Sequence, residues 1–241
     1  MGPGEGQTGG ASEAVANDTV LVVDGETPLG RALVRSFRQA GYRVVTTYRK
    51  SEKPEPGEDG SDVVRTPWGK ASPVSARNVM LKTLTAVAHL DVAVFAFSPS
   101  LKRVLLHETD YADIEAAVDE WVRGSLFLLR EVLGQLVRQG SGALALVQSF
   151  MREDAAEYPP LEAMVRGGIA ELTSSILASY GGEGVSVYRF ETVSPKVDEY
   201  VRYIVRTLRG APGRPARPRT YRYRPMGGLL SRLPLLSRRG G

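Results

Sequence analysis

Short, continuously apolar runs alternate along this chain with stretches of helical periodicity, and that alternation constrains the fold more than any other feature of the sequence. Val20-Leu21-Val22-Val23 is the first such run, of the kind shown by a parallel strand buried on both faces. Gly25 to Gly30 then turn the chain into a helix whose apolar residues are Leu29, Leu33, Val34 and Phe37, and Gly41 ends it. Tyr42 to Tyr48, with Val44 and Val45, reads as a second strand. The pattern predicts further strands at Asp62–Thr66, Asp91–Phe97, Gly142–Gln148 and Gly184–Phe190. It predicts helices near Val74–His89 and Ala112–Gln139, another through Leu161, Val165, Ile169, Leu172, Ile176 and Leu177, and a last one over Lys196–Leu208. Parallel neighbours need crossovers, which are nearly always right-handed, so the expected architecture is a three-layer, doubly wound parallel α/β sheet in a single domain.

A length of 241 residues suits one such domain. Hydrophobic residues at 42% and charged residues at 24% are ordinary globular usage. The absence of cysteine excludes disulfides, thiolate metal sites and a cysteine nucleophile, and His89 and His107 are the only histidines, so no metal site is expected. The net charge of +4 is unevenly distributed, because residues 211–241 carry eight arginines and no acid while the rest of the chain is net acidic. Residues 1–17 read as a Gly-rich leader, 18–210 as the domain and 211–241 as an Arg/Pro-rich basic tail. Neither a spanning apolar run nor a secretory signal is present, which leads to the expectation of a cytoplasmic protein.

The tail admits several readings. Its arginines attract phosphates, and Tyr221 and Tyr223 suit stacking on nucleic-acid bases. Leu229, Leu230, Leu233, Leu235 and Leu236 with the neighbouring arginines suit an anionic membrane, although Pro234 interrupts any helix. Alternatively the segment is a solvated basic extension, or its TYRY stretch is an edge strand closing the sheet.

The first β-α turn of a doubly wound sheet is the usual place for a dinucleotide, because a helix N-terminus offers N–H groups and a positive dipole end to phosphate. Here the residues also make a good helix start with no ligand, with Thr27 as N-cap and Pro28 at the first helical position. The stretches VLVVDGETPLGRAL (20–33), VDEWVRGSLFLL (118–129) and GALALVQS (142–149) resemble the short-chain dehydrogenase/reductase family over roughly residues 18 to 208. The family's T-G-x-x-x-G-x-G glycines fall on Asp24, Pro28 and Gly30, unless a one-residue slip makes Gly25 the first. Asp24 places a carboxylate near the phosphate position, and Pro28 removes a donor. The cofactor-binding candidates implied by the resemblance are Gly25, Thr27 and Gly30, with Arg49 and Lys50 after the second strand, where basic residues favour NADP over NAD. The alternative for Arg49 and Lys50 is a solvated charged loop.

The resemblance places Ser149 at the family's catalytic serine, Glu162 and Arg166 at the tyrosine and lysine of its Y-x-x-x-K motif, and Val122 at its asparagine. The family's N-N-A-G aligns with Phe95-Ala96-Phe97-Ser98, whose aromatics are expected to crowd the nicotinamide side, and its P-G with Thr192-Val193. A glutamate of ordinary pKa, about 4.3, is ionised at neutral pH and donates no proton, and arginine stays protonated. As a plain helical pair, Glu162 and Arg166 at i, i+4 contribute about 0.2–0.5 kcal/mol. Tyr158 is the candidate rescue donor.

The expectation is therefore a divergent, non-catalytic relative acting as a nucleotide-binding or scaffold subunit. The alternative is an NADPH-dependent reductase of a small carbonyl, with Tyr158 or Glu162 as acid. A solvent-facing Glu162–Arg166 pair favours the subunit, and Tyr158 beside Ser149 or a strongly raised Glu162 pKa favours the enzyme. The resemblance also implies a homodimer, or a heterodimer with a relative, through the helices near 112–139 and 161–180. Their apolar residues are Leu126, Leu129, Val132, Leu133, Leu136 and Val137 on one helix and Leu161, Met164, Val165 and Ile169 on the other, about half of them expected to be core, and Gly167-Gly168 allows close approach.

Overall fold

The computed structural model describes residues 18–50, 63–149, 158–180, 183–209 and 218–224. Seven strands form one parallel sheet: β1 (Thr19–Val23), β2 (Arg43–Arg49), β3 (Val64–Trp68), β4 (Val92–Phe97), β5 (Ala143–Ser149), β6 (Ser186–Thr192) and β7 (Arg219–Tyr223). Their spatial order is β3-β2-β1-β4-β5-β6-β7. The helices are α1 (Pro28–Gln39), α2 (Pro73–Val87), α3 (Tyr111–Ala117), α4 (Gly124–Gln139), α5 (Pro160–Ser179) and α6 (Val197–Leu208).

Successive strand residues point to opposite faces, and both faces of the central strands are buried. Leu21, Val23, Phe95, Leu144 and Leu146 share a core with Val79, Leu128, Val132 and Ile169 of α2, α4 and α5. Val20, Val22, Val94, Val147 and Phe190 share the second core with Leu33, Phe37, Tyr200 and Ile204 of α1 and α6. This is the three-layer α/β architecture expected from the sequence. The strand order reverses between β1 and β4, which places the crevice of the topological switch point outside their carboxyl ends.

Two elements differ from expectation. The helix expected as one piece near 112–139 consists of α3, a π-helical turn over Val118–Arg123, and α4. The π turn adds a residue to the α repeat and changes which side chains share a face. The sheet also runs past the boundary drawn at 210, because β7 pairs in parallel with β6 from Tyr188↔Arg219 to Thr192↔Tyr223. Tyr221 stacks on Phe190 at 5.2 Å, and Tyr223 donates its hydroxyl to Glu199 Oε2 at 2.8 Å. Of the readings of Tyr221 and Tyr223, the edge strand is the one the structure contains. The leader 1–17 and the leucines at 229–236 lie outside the described residues. Among the described residues no helix is long and apolar enough to cross a membrane.

Candidate functional site

The first β-α turn is closed by its own hydrogen bonds. Thr27 caps α1 as expected, its Oγ1 accepting from the Gly30 N–H at 3.0 Å. The Asp24 N–H bonds Thr47 Oγ1 at 2.9 Å, the Gly25 N–H bonds the Thr47 carbonyl at 3.1 Å, and the Thr27 N–H bonds the Asp24 carbonyl at 3.1 Å. Pro28 has no N–H to offer. Asp24 has a φ of 62°, the left-handed region that suits glycine and that aspartate tolerates better than most residues. Gly25 and Gly30 serve close packing: a Cβ would lie 2.0 Å from Thr46 Oγ1 at Gly25 and 2.0 Å from the Asp24 carbonyl oxygen at Gly30.

A buried ion cluster occupies the mouth of the crevice. Lys70, just beyond β3, has a side chain only 8% exposed, and its Nζ lies 2.9 Å from Asp24 Oδ1 and 3.3 Å from Glu120 Oε1. The ammonium also sits 5.1 Å from the Trp68 ring centroid and 5.0 Å from that of Trp121, a cation–π arrangement. Burial alone would lower the Lys70 pKa, but Asp24 and Glu120 outweigh it and hold the ammonium above its ordinary value. The π turn brings consecutive Glu120 and Trp121 to the same cation, which neighbours about 100° apart on a regular α-helix do not readily achieve. Arg49, from the end of β2, joins the cluster through its ion pair with Glu120. Glu26 stands beside it, and burial, then the Asp24 carboxylate, push its pKa up to about 7. Lys50 is exposed and donates its backbone N–H to the Trp68 carbonyl at 3.2 Å.

As arranged, these residues do not fit a dinucleotide pyrophosphate. The donors of the turn are engaged within the protein, a carboxylate stands at the first turn, and both crevice cations face carboxylates of the chain. Asp24, Thr27 and Arg49 were legible as site positions in the sequence. Lys70, Glu120, Trp68 and Trp121 were not, because Lys70 and Glu120 lie 50 residues apart. The only signal was positional: Lys70 follows a predicted strand beside the switch point.

The second constellation lies across the ends of β4 and β5. Arg166 Nε donates to Glu162 Oε1 at 2.8 Å, Nη1 to the Ser149 carbonyl at 3.1 Å and Nη2 to the Pro99 carbonyl at 2.6 Å. Glu162 Oε2 accepts the Leu101 N–H at 3.0 Å, so both carboxylate oxygens act as acceptors. The i, i+4 pair expected on the helix surface is instead buried, with Glu162 7% and Arg166 6% exposed, and it pins the loop after β4 and the end of β5 to α5. Tyr158 stacks 4.4 Å from the Arg166 guanidinium, so the structure gathers Ser149, Tyr158, Glu162 and Arg166 in one place. Phe95 and Phe97 are buried core residues stacked at 6.1 Å, which corrects the expectation that they crowd the crevice; their burial on the sheet explains their type.

Between α4 and α5 runs an open groove of about 630 Å³, lined among others by Leu126, Leu129, Leu133, Val137, Leu172 and Ile176.

No family model matches the chain. A short chain dehydrogenase of Pseudocercospora fijiensis is 24% identical over 176 residues, covering 69% of this chain and 56% of its own length. The chain thus spans little more than half the length of that curated relative. Among solved structures, a metagenomic short-chain oxidoreductase in complex with NADP superposes with a TM-score of 0.72 at 17% identity, covering 86% of this chain and 98% of that one. Serine dehydrogenase from Escherichia coli gives a TM-score of 0.69 at 17% identity, covering 86% and 97%. The strand order and these superpositions give the chain a Rossmann-like fold similar to that of short-chain dehydrogenases/reductases, and the distant sequence match is to a protein of that name.

Proposed function

We propose that this chain is a non-catalytic, cytoplasmic binding or scaffold subunit that pairs with a second short-chain dehydrogenase/reductase-type chain, its own copy or a relative, through α4 and α5. The Glu162–Arg166 pair is buried and not solvent-facing, so the exposure criterion set out above does not favour the subunit, and the observation that carries the reading is instead how these two side chains are engaged. At the positions of the family's proton-donating tyrosine and its lysine, these two groups are buried and engaged with each other and with the backbone of Ser149, Pro99 and Leu101. Both Glu162 oxygens are taken up as acceptors within the protein, so neither is presented to a substrate carbonyl as a donor. NADP(H) enters as a family-level option, from the neighbour solved in complex with NADP.

The test is turnover. The purified chain, with NADPH and separately with NADH, is assayed against a panel of small aldehydes and ketones by cofactor absorbance. The expected result is no oxidation above the protein-free rate. Steady turnover that scales with protein concentration would overturn the reading.

One observation favours a reductase as the second reading. Tyr158 lies against Arg166, and Arg166 holds the Ser149 carbonyl, so a phenol, a cation and the family serine position are neighbours. In that reading Tyr158→Phe abolishes turnover while leaving the thermal melt unchanged.

A further inference from the structure

The geometry points to an internal latch on the switch-point crevice: Glu120 and Asp24 hold Lys70 and Arg49 where a phosphate-bearing nucleotide would otherwise engage them, and releasing either carboxylate opens the crevice to such a ligand. The latch crosses the crevice. Asp24 follows β1, Lys70 follows β3, Arg49 ends β2, and Glu120 reaches over from the π turn ahead of α4. Its four charged groups belong to four separate elements, so the contact ties together the walls between which a nucleotide lies in an open α/β sheet.

The closed arrangement is incompletely satisfied. Among the described residues, Trp68 Nε1 and Trp121 Nε1, on residues 2% and 6% exposed, have no hydrogen-bond partner, and neither does Glu26 Oε2. Buried donors and acceptors without partners raise the free energy of the state that leaves them so. The Lys70 ammonium lies over both indole rings, 5.1 Å and 5.0 Å from their centroids. A hydrophobic plug would have left no such groups. The crevice instead holds two cations, Lys70 and Arg49, with Asp24 and Glu120 as internal competitors for them. The Lys70 side chain is 8% exposed, so its pairing with Asp24 and Glu120 is little screened, whereas Arg49, 44% exposed, pairs with Glu120 at the solvent-facing side.

The measurement is calorimetric titration with NADPH of the full chain and of E120Q, D24N and E120Q/K70M, each first shown by circular dichroism to melt cooperatively. E120Q is expected to bind NADPH at least tenfold more tightly than the unaltered chain. D24N, which frees Lys70 from the other side, provides the same test where E120Q fails to fold. E120Q/K70M is expected to lose the gain, because the released cation is gone. Equal affinity of E120Q, or of D24N in its place, and the unaltered chain overturns the latch. So does a double variant that keeps the full gain, which would show that removing a repulsive carboxylate is sufficient. None of these outcomes depends on turnover or on the pairing of α4 and α5, so the latch can fail while the subunit reading stands, and the reverse.

Discussion

An arginine four residues after a glutamate is ordinarily a surface pair with a small effect on stability, and burial changes that for Glu162 and Arg166. Removing one partner of a buried pair leaves the other charge uncompensated, which typically costs about 3–5 kcal/mol. Arg166→Ala also strips donors from the Ser149 and Pro99 carbonyls, so its expected cost lies at the upper end of that range. Urea denaturation measures it as a lowered midpoint; a loss below about 1 kcal/mol, the scale of an exposed pair, would contradict the clamp. Arg166→Lys keeps the charge without the planar fork and is expected to fall between the two. Glu26 gives a prediction in pH. Its carboxyl is pushed from the usual 4.5 up to about 7 by burial and the Asp24 carboxylate. The folded state therefore holds this proton more tightly than the unfolded chain does. Its contribution is full below about pH 4.5, is lost as pH rises to about 7, and is flat above. Glu26→Gln carries no charge to bury, so its melting temperature is expected to exceed that of the unaltered chain at about pH 8 and to match it at about pH 4. A Tm difference that is the same at both pH values would contradict this assignment.

At the scale of elements, legibility followed the range of the information. Strands β1, β4 and β5 carry their burial in consecutive residues, and helices such as α1 carry cap, period and stop within one short segment, so both could be read locally. The ion cluster could not, because Lys70 and Glu120 meet only after β3, α2 and β4 have been laid down, and neither sits in a pattern of its own. The π turn escaped for a related reason: its apolar spacing is compatible with a regular helix, and the added residue coincides with long-range contacts of Trp121 and Glu120 to Lys70. β7 was visible only as one alternative, since Arg alternates there with Thr and Tyr in place of a continuous apolar run. Its grip on the sheet is aromatic. Tyr221 stacks on Phe190 at an interplanar angle of 14°, and Tyr223 packs on Tyr200 with ring centroids 5.7 Å apart. Tyr221→Ala is expected to cost about 1–3 kcal/mol, from half-buried apolar area and one aromatic pair. Deleting residues 211–241 would expose the β6 edge as well, and an uncovered edge strand is a template for aggregation. Scattering during a thermal ramp should therefore rise at a lower temperature in the truncated chain than in Tyr221→Ala. A truncated chain that melts reversibly with an unchanged midpoint would show that β7 contributes nothing.

For the whole molecule, the open question is what covers the outer surface of α4 and α5. Leu126 is 44% exposed and Met164 52% exposed, and the groove between the two helices is lined largely by leucine, valine and isoleucine. On α5, Gly167 and Gly168 are exposed, and a Cβ at either would meet nothing within 4 Å. Two such glycines cost a helix about 1 kcal/mol each relative to alanine, and neither relieves a contact inside the protomer. The proposed pairing gives them a use, because absent side chains would let two helix backbones approach. In an isologous contact each patch meets its own copy, so one substitution acts twice. Leu126→Arg with Met164→Glu puts charge into that contact while leaving the buried residues of both helices untouched. Light scattering after size exclusion is expected to give twice the 26.1 kDa chain mass for the unaltered protein and a single chain mass for the variant. Gly167→Ala/Gly168→Ala sharpens the test, because within one protomer it should raise the melting temperature through helix propensity, whereas at a helix contact it should weaken association. A raised melting temperature together with an unchanged dimer would place the partner's helix elsewhere on this face. A single chain mass for the unaltered protein at every concentration would leave an unlike chain as the partner that this surface fits.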